Sequence, residues 1–209
     1  MSRLNPIAFR ILALSAVLLA GCNHESQPPS QAAPSAKAAP AASDSPAVAA
    51  PAPTQSAALD TSTLLSVGAD VPDVSALAQD GKLVRLRGLK GKPLIVYFYP
   101  KDDTKGCTIE AKGIRDQYAE LSRRAVVLGV SEDSRESHQA FAEKYELPFQ
   151  LLDDQNHQLA AAFGVPLSSG KAKRVTFVID ASGKVARVFP NVNPDGHAGE
   201  LLEALRALG

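Results

Sequence analysis

The sequence predicts an α/β domain, a mixed central β-sheet flanked by helices with an N-terminal β-hairpin extension. Two observations carry that expectation. Three short apolar runs, 93–99 (PLIVYFY), 125–131 (AVVLGVS) and 175–180 (VTFVID), lack the alternation of half-exposed strands and read as strands buried on both faces. Between and after them, apolar residues recur at helical spacing among charged ones.

In chain order, Arg3 and Arg10 precede an apolar segment, 11–20, too short to span a bilayer and suited to the hydrophobic region of an export signal. It ends in Leu19-Ala20-Gly21-Cys22, which resembles the lipobox of bacterial lipoproteins. That resemblance implies a signal peptide over 1–21 and a lipidated Cys22 as the new N-terminus, anchored by several acyl chains where one would bind only marginally. The protein would then face the periplasm, and Asn23, where an Asp favours inner-membrane retention, points to the outer membrane. Residues 22–60 are almost entirely Ala, Pro, Ser and Gln from position 27 onward, a composition that cannot bury enough apolar surface to offset ordering entropy. They read as a disordered tether of roughly 35 residues, reaching ~30 Å as a coil and up to ~110 Å if polyproline-like.

Residues 61–209 form the predicted domain. Within it, 82–86 alternates as a strand. The segment 108–123 places Ile109, Tyr118 and Leu121 on one helix, and 134–145 opens with Ser134, followed three residues later by Ser137, and carries Phe141 and Tyr145. A third helix, 156–163, is ended by Gly164 and Pro166; residues 181–184 (ASGK) join two strands as a hairpin turn, and a last helix covers 198–208.

A chain of 209 residues gives no reason for a second ordered domain. Its 22 basic and 22 acidic residues leave a formal net charge of +0, which removes the electrostatic case for nucleic acid as a partner. The two cysteines, Cys22 and Cys107, are too few for a disulfide framework, so Cys107 enters the fold as a lone thiol. His138, His157 and His197 have no metal-ligand spacing and read as solvated surface residues; no metal or cofactor is implied.

The segment 97–108 (YFYPKDDTKGCT) runs from a buried strand through a polar loop into a helix, so Cys107 lands at or near a helix N-terminus. Unpaired N–H groups and the positive end of the macrodipole favour an anion there, and the thiolate is the attacking form of cysteine. Lys101, Lys105 and Lys112 add positive charge, which Asp102 and Asp103 partly oppose.

Pro100, Thr104 and Cys107 match the Pro-x-x-x-Thr-x-x-Cys signature of peroxiredoxins, and the surrounding YFYPKDDTKGCTIEAKGIRD is similar to the bacterioferritin-comigratory, or peroxiredoxin Q, branch. LLDD at 151–154, FGV at 163–165 and RVTFVIDASGKV from Arg174 continue the likeness. The resemblance implies a thioredoxin-like fold and a thiol-dependent peroxidase acting on hydrogen peroxide and organic hydroperoxides. It assigns Cys107 as peroxidatic nucleophile, Thr104 as hydroxyl donor to thiolate and peroxide, Pro100 as shield from bulk water and Arg174 as the site's guanidinium; Glu110 is matched as well. A departing peroxide oxygen gathers negative charge, which hydrogen-bond donors and a guanidinium would stabilise.

One departure matters. Branch members often carry a resolving cysteine five residues after the first, where this chain has Lys112. A one-Cys cycle is expected, in which an external thiol, from a thioredoxin-like protein or a small molecule, attacks the sulfenic acid. The chain would be a monomer or weak dimer. A periplasmic thiol-disulfide oxidoreductase would want Cys-x-x-Cys, absent here, and a non-catalytic redox-sensing or binding module is the alternative from another class.

Overall fold

The computed structural model describes residues 64–209. The signal and tether regions expected at 1–60, Cys22 included, lie outside the described residues.

The centre is a five-stranded sheet whose strands lie in the order β5 (Gln150–Asp153), β4 (Val126–Ser131), β3 (Leu94–Phe98), β8 (Val175–Ile179) and β9 (Val185–Phe189). Strands β3, β4 and β5 are parallel; β8 runs antiparallel to β3, and β9 antiparallel to β8. Every residue of β3 and β8 is buried, which is why their sequences are apolar without alternation. The turn at 181–184 is the predicted hairpin: the Asp180 carboxylate accepts from the N–H groups of Ser182 and Lys184, and Gly183 takes φ 87°.

The N-terminal hairpin pairs β1 (Ser75–Leu77) with β2 (Leu83–Arg85), and a 3-10 turn at Leu86–Leu89 leads into β3. A second small hairpin, β6 (Leu167–Ser168) with β7 (Lys171–Ala172), precedes β8. Two-residue strands carry no periodicity, so the sequence gives no sign of this hairpin.

The single helix expected at 108–123 is two: α1 (Lys105–Asp116) and α2 (Tyr118–Arg124). Gln117, at φ −104° and ψ 7°, breaks the run, and Tyr118 beyond it packs on Phe149 with ring centroids 5.8 Å apart. Helix α3 (Arg135–Tyr145) is capped as its sequence implies, the Ser134 hydroxyl accepting from the Ser137 N–H at 3.3 Å. Helices α4 (Gln158–Phe163) and α5 (His197–Arg206) complete the fold.

Because side chains alternate along β3, the sheet has a core on each face. Val96 and Phe98 join Leu128, Leu152, Phe163 and Phe177; Ile95, Tyr97 and Tyr99 join Ile114, Leu121, Phe141 and Leu201. Cys107 belongs to the second core.

Candidate active site

Strand β3 delivers the chain to one end of the sheet, where residues 99–104 form a loop and α1 begins. Thr104 holds the N-cap position with extended backbone, so Cys107 is the third residue of α1 and its N–H is among the first-turn donors that have no partner within the helix. Cys107 as a residue is 2% exposed. Arg174 stands immediately before β8, and its guanidinium forks: Nη2–H donates to Cys107 Sγ at 3.1 Å, Nη1–H to Oε2 of Glu110. Arginine and cysteine, 67 residues apart in sequence, are thus brought together. Gly106 permits the approach, since a Cβ there would lie 3.3 Å from Nη2 of Arg174.

Glu110 is buried at 1% exposure. Burial pushes its carboxyl up to about 7, against the pull of the Arg174 charge and hydrogen bond. Burial works against the charge on Arg174 in turn, but Glu110 and Cys107 outweigh it and hold the guanidinium above its ordinary value.

The other expected site residues sit around this pair. Thr104 is exposed; its hydroxyl makes no cap bond and donates to the Lys101 carbonyl at 3.0 Å. Half-buried Pro100 and Arg174 border an open depression of about 720 Å³ whose rim also carries Lys171, Lys173 and Val192. Lys112 is exposed on α1, lining a separate depression with Asp103, Ile109 and Tyr145. Among the described residues Cys107 is the free cysteine.

The loop's two acids are engaged elsewhere. Asp103 pairs with Lys144 at 2.6 Å and accepts from the Tyr145 hydroxyl. Asp102 is buried and pairs with His138 at 2.9 Å. His138 and His197 are therefore not the solvated residues the sequence predicts: they are 0% and 1% exposed. Tertiary partners explain the difference. His197 lies between Glu200 at 2.8 Å and the Thr176 hydroxyl at 2.9 Å, and burial, opposed by Glu200, holds it below its ordinary value. His157 alone of the three is partly exposed.

A guanidinium set against sulfur in a helix's first turn can stabilise both an attacking thiolate and a departing oxygen, which is the equipment of a thiol-based oxidoreductase. Known proteins narrow this. The sequence profile of the AhpC/TSA family matches residues 67–188. The chloroplastic peroxiredoxin Q of Gentiana triflora is 40% identical over 161 residues, 75% of this chain and 74% of that one. Among solved structures, the peroxidoxin BcpB of Mycobacterium tuberculosis is 37% identical with a TM-score of 0.64, covering 68% of this chain and 97% of its own. The bacterioferritin comigratory protein of Xanthomonas campestris is 32% identical with a TM-score of 0.64, covering 68% and 98%. The chain belongs to the AhpC/TSA family and is a peroxiredoxin, a thiol-dependent peroxidase with a thioredoxin-like fold.

Proposed function

We propose that Cys107 is the peroxidatic nucleophile and that an external thiol completes the cycle. The hydrogen bond from Arg174 to Cys107 Sγ, within the first turn of α1, is the observation that supports this most directly. The thiolate attacks one peroxide oxygen in line with the O–O bond. A sulfur–oxygen bond forms as O–O breaks, sulfur is oxidised by two electrons, and the leaving oxygen takes a proton and departs as water or alcohol. Arg174 and the first-turn N–H groups face the developing charge. Thr104 turns its hydroxyl from the Lys101 carbonyl to thiolate and peroxide, and Pro100 keeps bulk water from the sulfur.

Hydrogen peroxide and organic hydroperoxides are the substrates. The Xanthomonas neighbour, described for its alkyl peroxide reduction activity, supports the organic class. Lysine at position 112 supports an external resolving thiol: one thiol condenses with the sulfenic acid, releasing water and leaving a mixed disulfide, and a second displaces Cys107 from it. The reductant is a thioredoxin-like protein or a small thiol.

Mass measurement after one equivalent of hydrogen peroxide tests the first step. One oxygen on Cys107, removed by small thiols and absent in Cys107→Ser, is expected; peroxide consumption surviving that substitution would exclude the nucleophile. Anchorage through Cys22, facing the periplasm at the outer membrane, is part of the same proposal, with the chain a monomer or weak dimer. Cys22→Ser should block labelled fatty-acid incorporation, and incorporation that survives the change would exclude this anchor.

A further inference from the structure

Behind the loop that carries Pro100 and Thr104 lies a set of buried groups the chemistry above leaves unused. His138, on α3, presents both ring nitrogens to acceptors: Nε2 to the Leu152 carbonyl at 3.2 Å, Nδ1 to the Asp102 carboxylate at 2.9 Å. A carbonyl cannot donate, so Nε2 carries a hydrogen. Nδ1 faces an oxygen that already accepts from the Ser137 hydroxyl at 2.8 Å, while the other Asp102 oxygen accepts from the Tyr99 hydroxyl at 2.7 Å. Asp102 thus gathers two hydroxyls and a ring nitrogen on one carboxylate. The main-chain N–H of Asp102 donates to Asp133 at 2.8 Å; Asp133 also accepts from the Ser131 hydroxyl at 2.9 Å and has Lys171 Nζ 3.6 Å away. The middle of the loop is therefore fixed to β4 and α3, and through His138 to β5.

We propose that His138 is a positioning residue for the peroxide reaction. Through Nδ1 it locks Asp102, and with it the 99–104 loop, so that Thr104 and the first turn of α1 meet the peroxide at Cys107 in one geometry. Asp102 lies two residues from Pro100 and two from Thr104, so its displacement shifts both. A misplacement of ~1 Å at a reacting centre can cost about 100-fold in rate. The inference rests on the reading of Cys107 as the peroxidatic thiol.

Two substitutions separate the halves of the ring: His138→Gln keeps a donor for Leu152 but loses the one for Asp102, and His138→Asn does the reverse. Each is measured for its rate with hydrogen peroxide and for alkylation of Cys107 by iodoacetamide, which needs a thiolate but no aligned peroxide. His138→Gln is expected to lose about tenfold or more with peroxide while alkylation stays within about threefold, and His138→Asn to stay within about threefold in both. Equal losses in both reactions, or failure of His138→Asn to restore the rate, would mean a merely structural role. The Nδ1 hydrogen of the unmutated protein, read by nitrogen-15 NMR, decides independently of whether the variants fold: a hydrogen shared between Nδ1 of His138 and Asp102 is expected, and a bare Nδ1 overturns the lock. An unmutated protein inert to peroxide overturns the peroxidase reading and this one with it. One that reacts, with His138→Gln equally fast, overturns the positioning alone.

Discussion

Arg174 meets two partners with one planar group, and that planarity is what a lysine cannot copy. Arg174→Lys should therefore lower the peroxide rate by about 100-fold, the usual cost of removing a donor aimed at developing charge. Stopped-flow traces against peroxide concentration read it out. Glu110, the guanidinium's other partner, makes a prediction about stability. Burial raises its carboxyl from 4.5 to about 7 in the folded state, so between those values the native protein holds a proton that the unfolded chain has lost. Stability from Glu110 is then fully present below about pH 4.5 and is lost as pH rises through about 7. Glu110→Gln has no such proton and should flatten this slope in denaturant titrations between pH 4 and 8; an unchanged slope would place the titration elsewhere. At this scale the family resemblance singled out Arg174, which the fold brings to the sulfur, whereas Thr104, marked by the motif, rests its hydroxyl on the Lys101 carbonyl. The pairing of His138 with Asp102 was hidden, because it exists only once α3 packs against the loop.

At the level of elements, α1 sets both the chemistry and its limits. Cys107 and Lys112 lie five residues apart within it, a separation of ~8.7 Å between Cα atoms in regular helix, beyond the ~7 Å that a disulfide can bridge. Lys112→Cys should form an intramolecular bridge on oxidation only by unwinding the first turns of α1, seen as lost helical circular dichroism alongside the lost thiols. A bridge formed with helix content unchanged would contradict this. Strand β4 carries a tighter constraint. A Cβ at Gly129 would come within 2.7 Å of both Leu151 Cδ2 and Tyr97 Oη, so Gly129→Ala should destabilise the domain by about 1–3 kcal/mol, measured by urea denaturation. The central strands were legible because burial on both faces writes itself as an unbroken apolar run. The break at Gln117 was not, since no Pro or Gly announces it. The β6–β7 hairpin was equally silent, although it is fastened where the Ala172 N–H donates to Glu132 and so leaves Arg174 only a short span before β8.

Across the whole described domain, two cores share one sheet but only one of them holds the thiol. Loss of packing on the other face should cost stability without touching the reaction. Phe163→Leu, among Phe98 and Phe177, is expected to destabilise by about 1–3 kcal/mol while the folded fraction keeps its peroxide rate, a separation that rate and melting measurements on one sample can check. The division itself follows from alternation along β3, but which face receives α1 is a matter of connection geometry rather than composition, and the sequence does not spell it out. The sulfur is almost wholly covered, so a bulky partner meets it only after the surrounding chain gives way. For the larger hydroperoxides and the protein thiols of the proposed cycle, the rate of that opening sets the ceiling on how fast each is used.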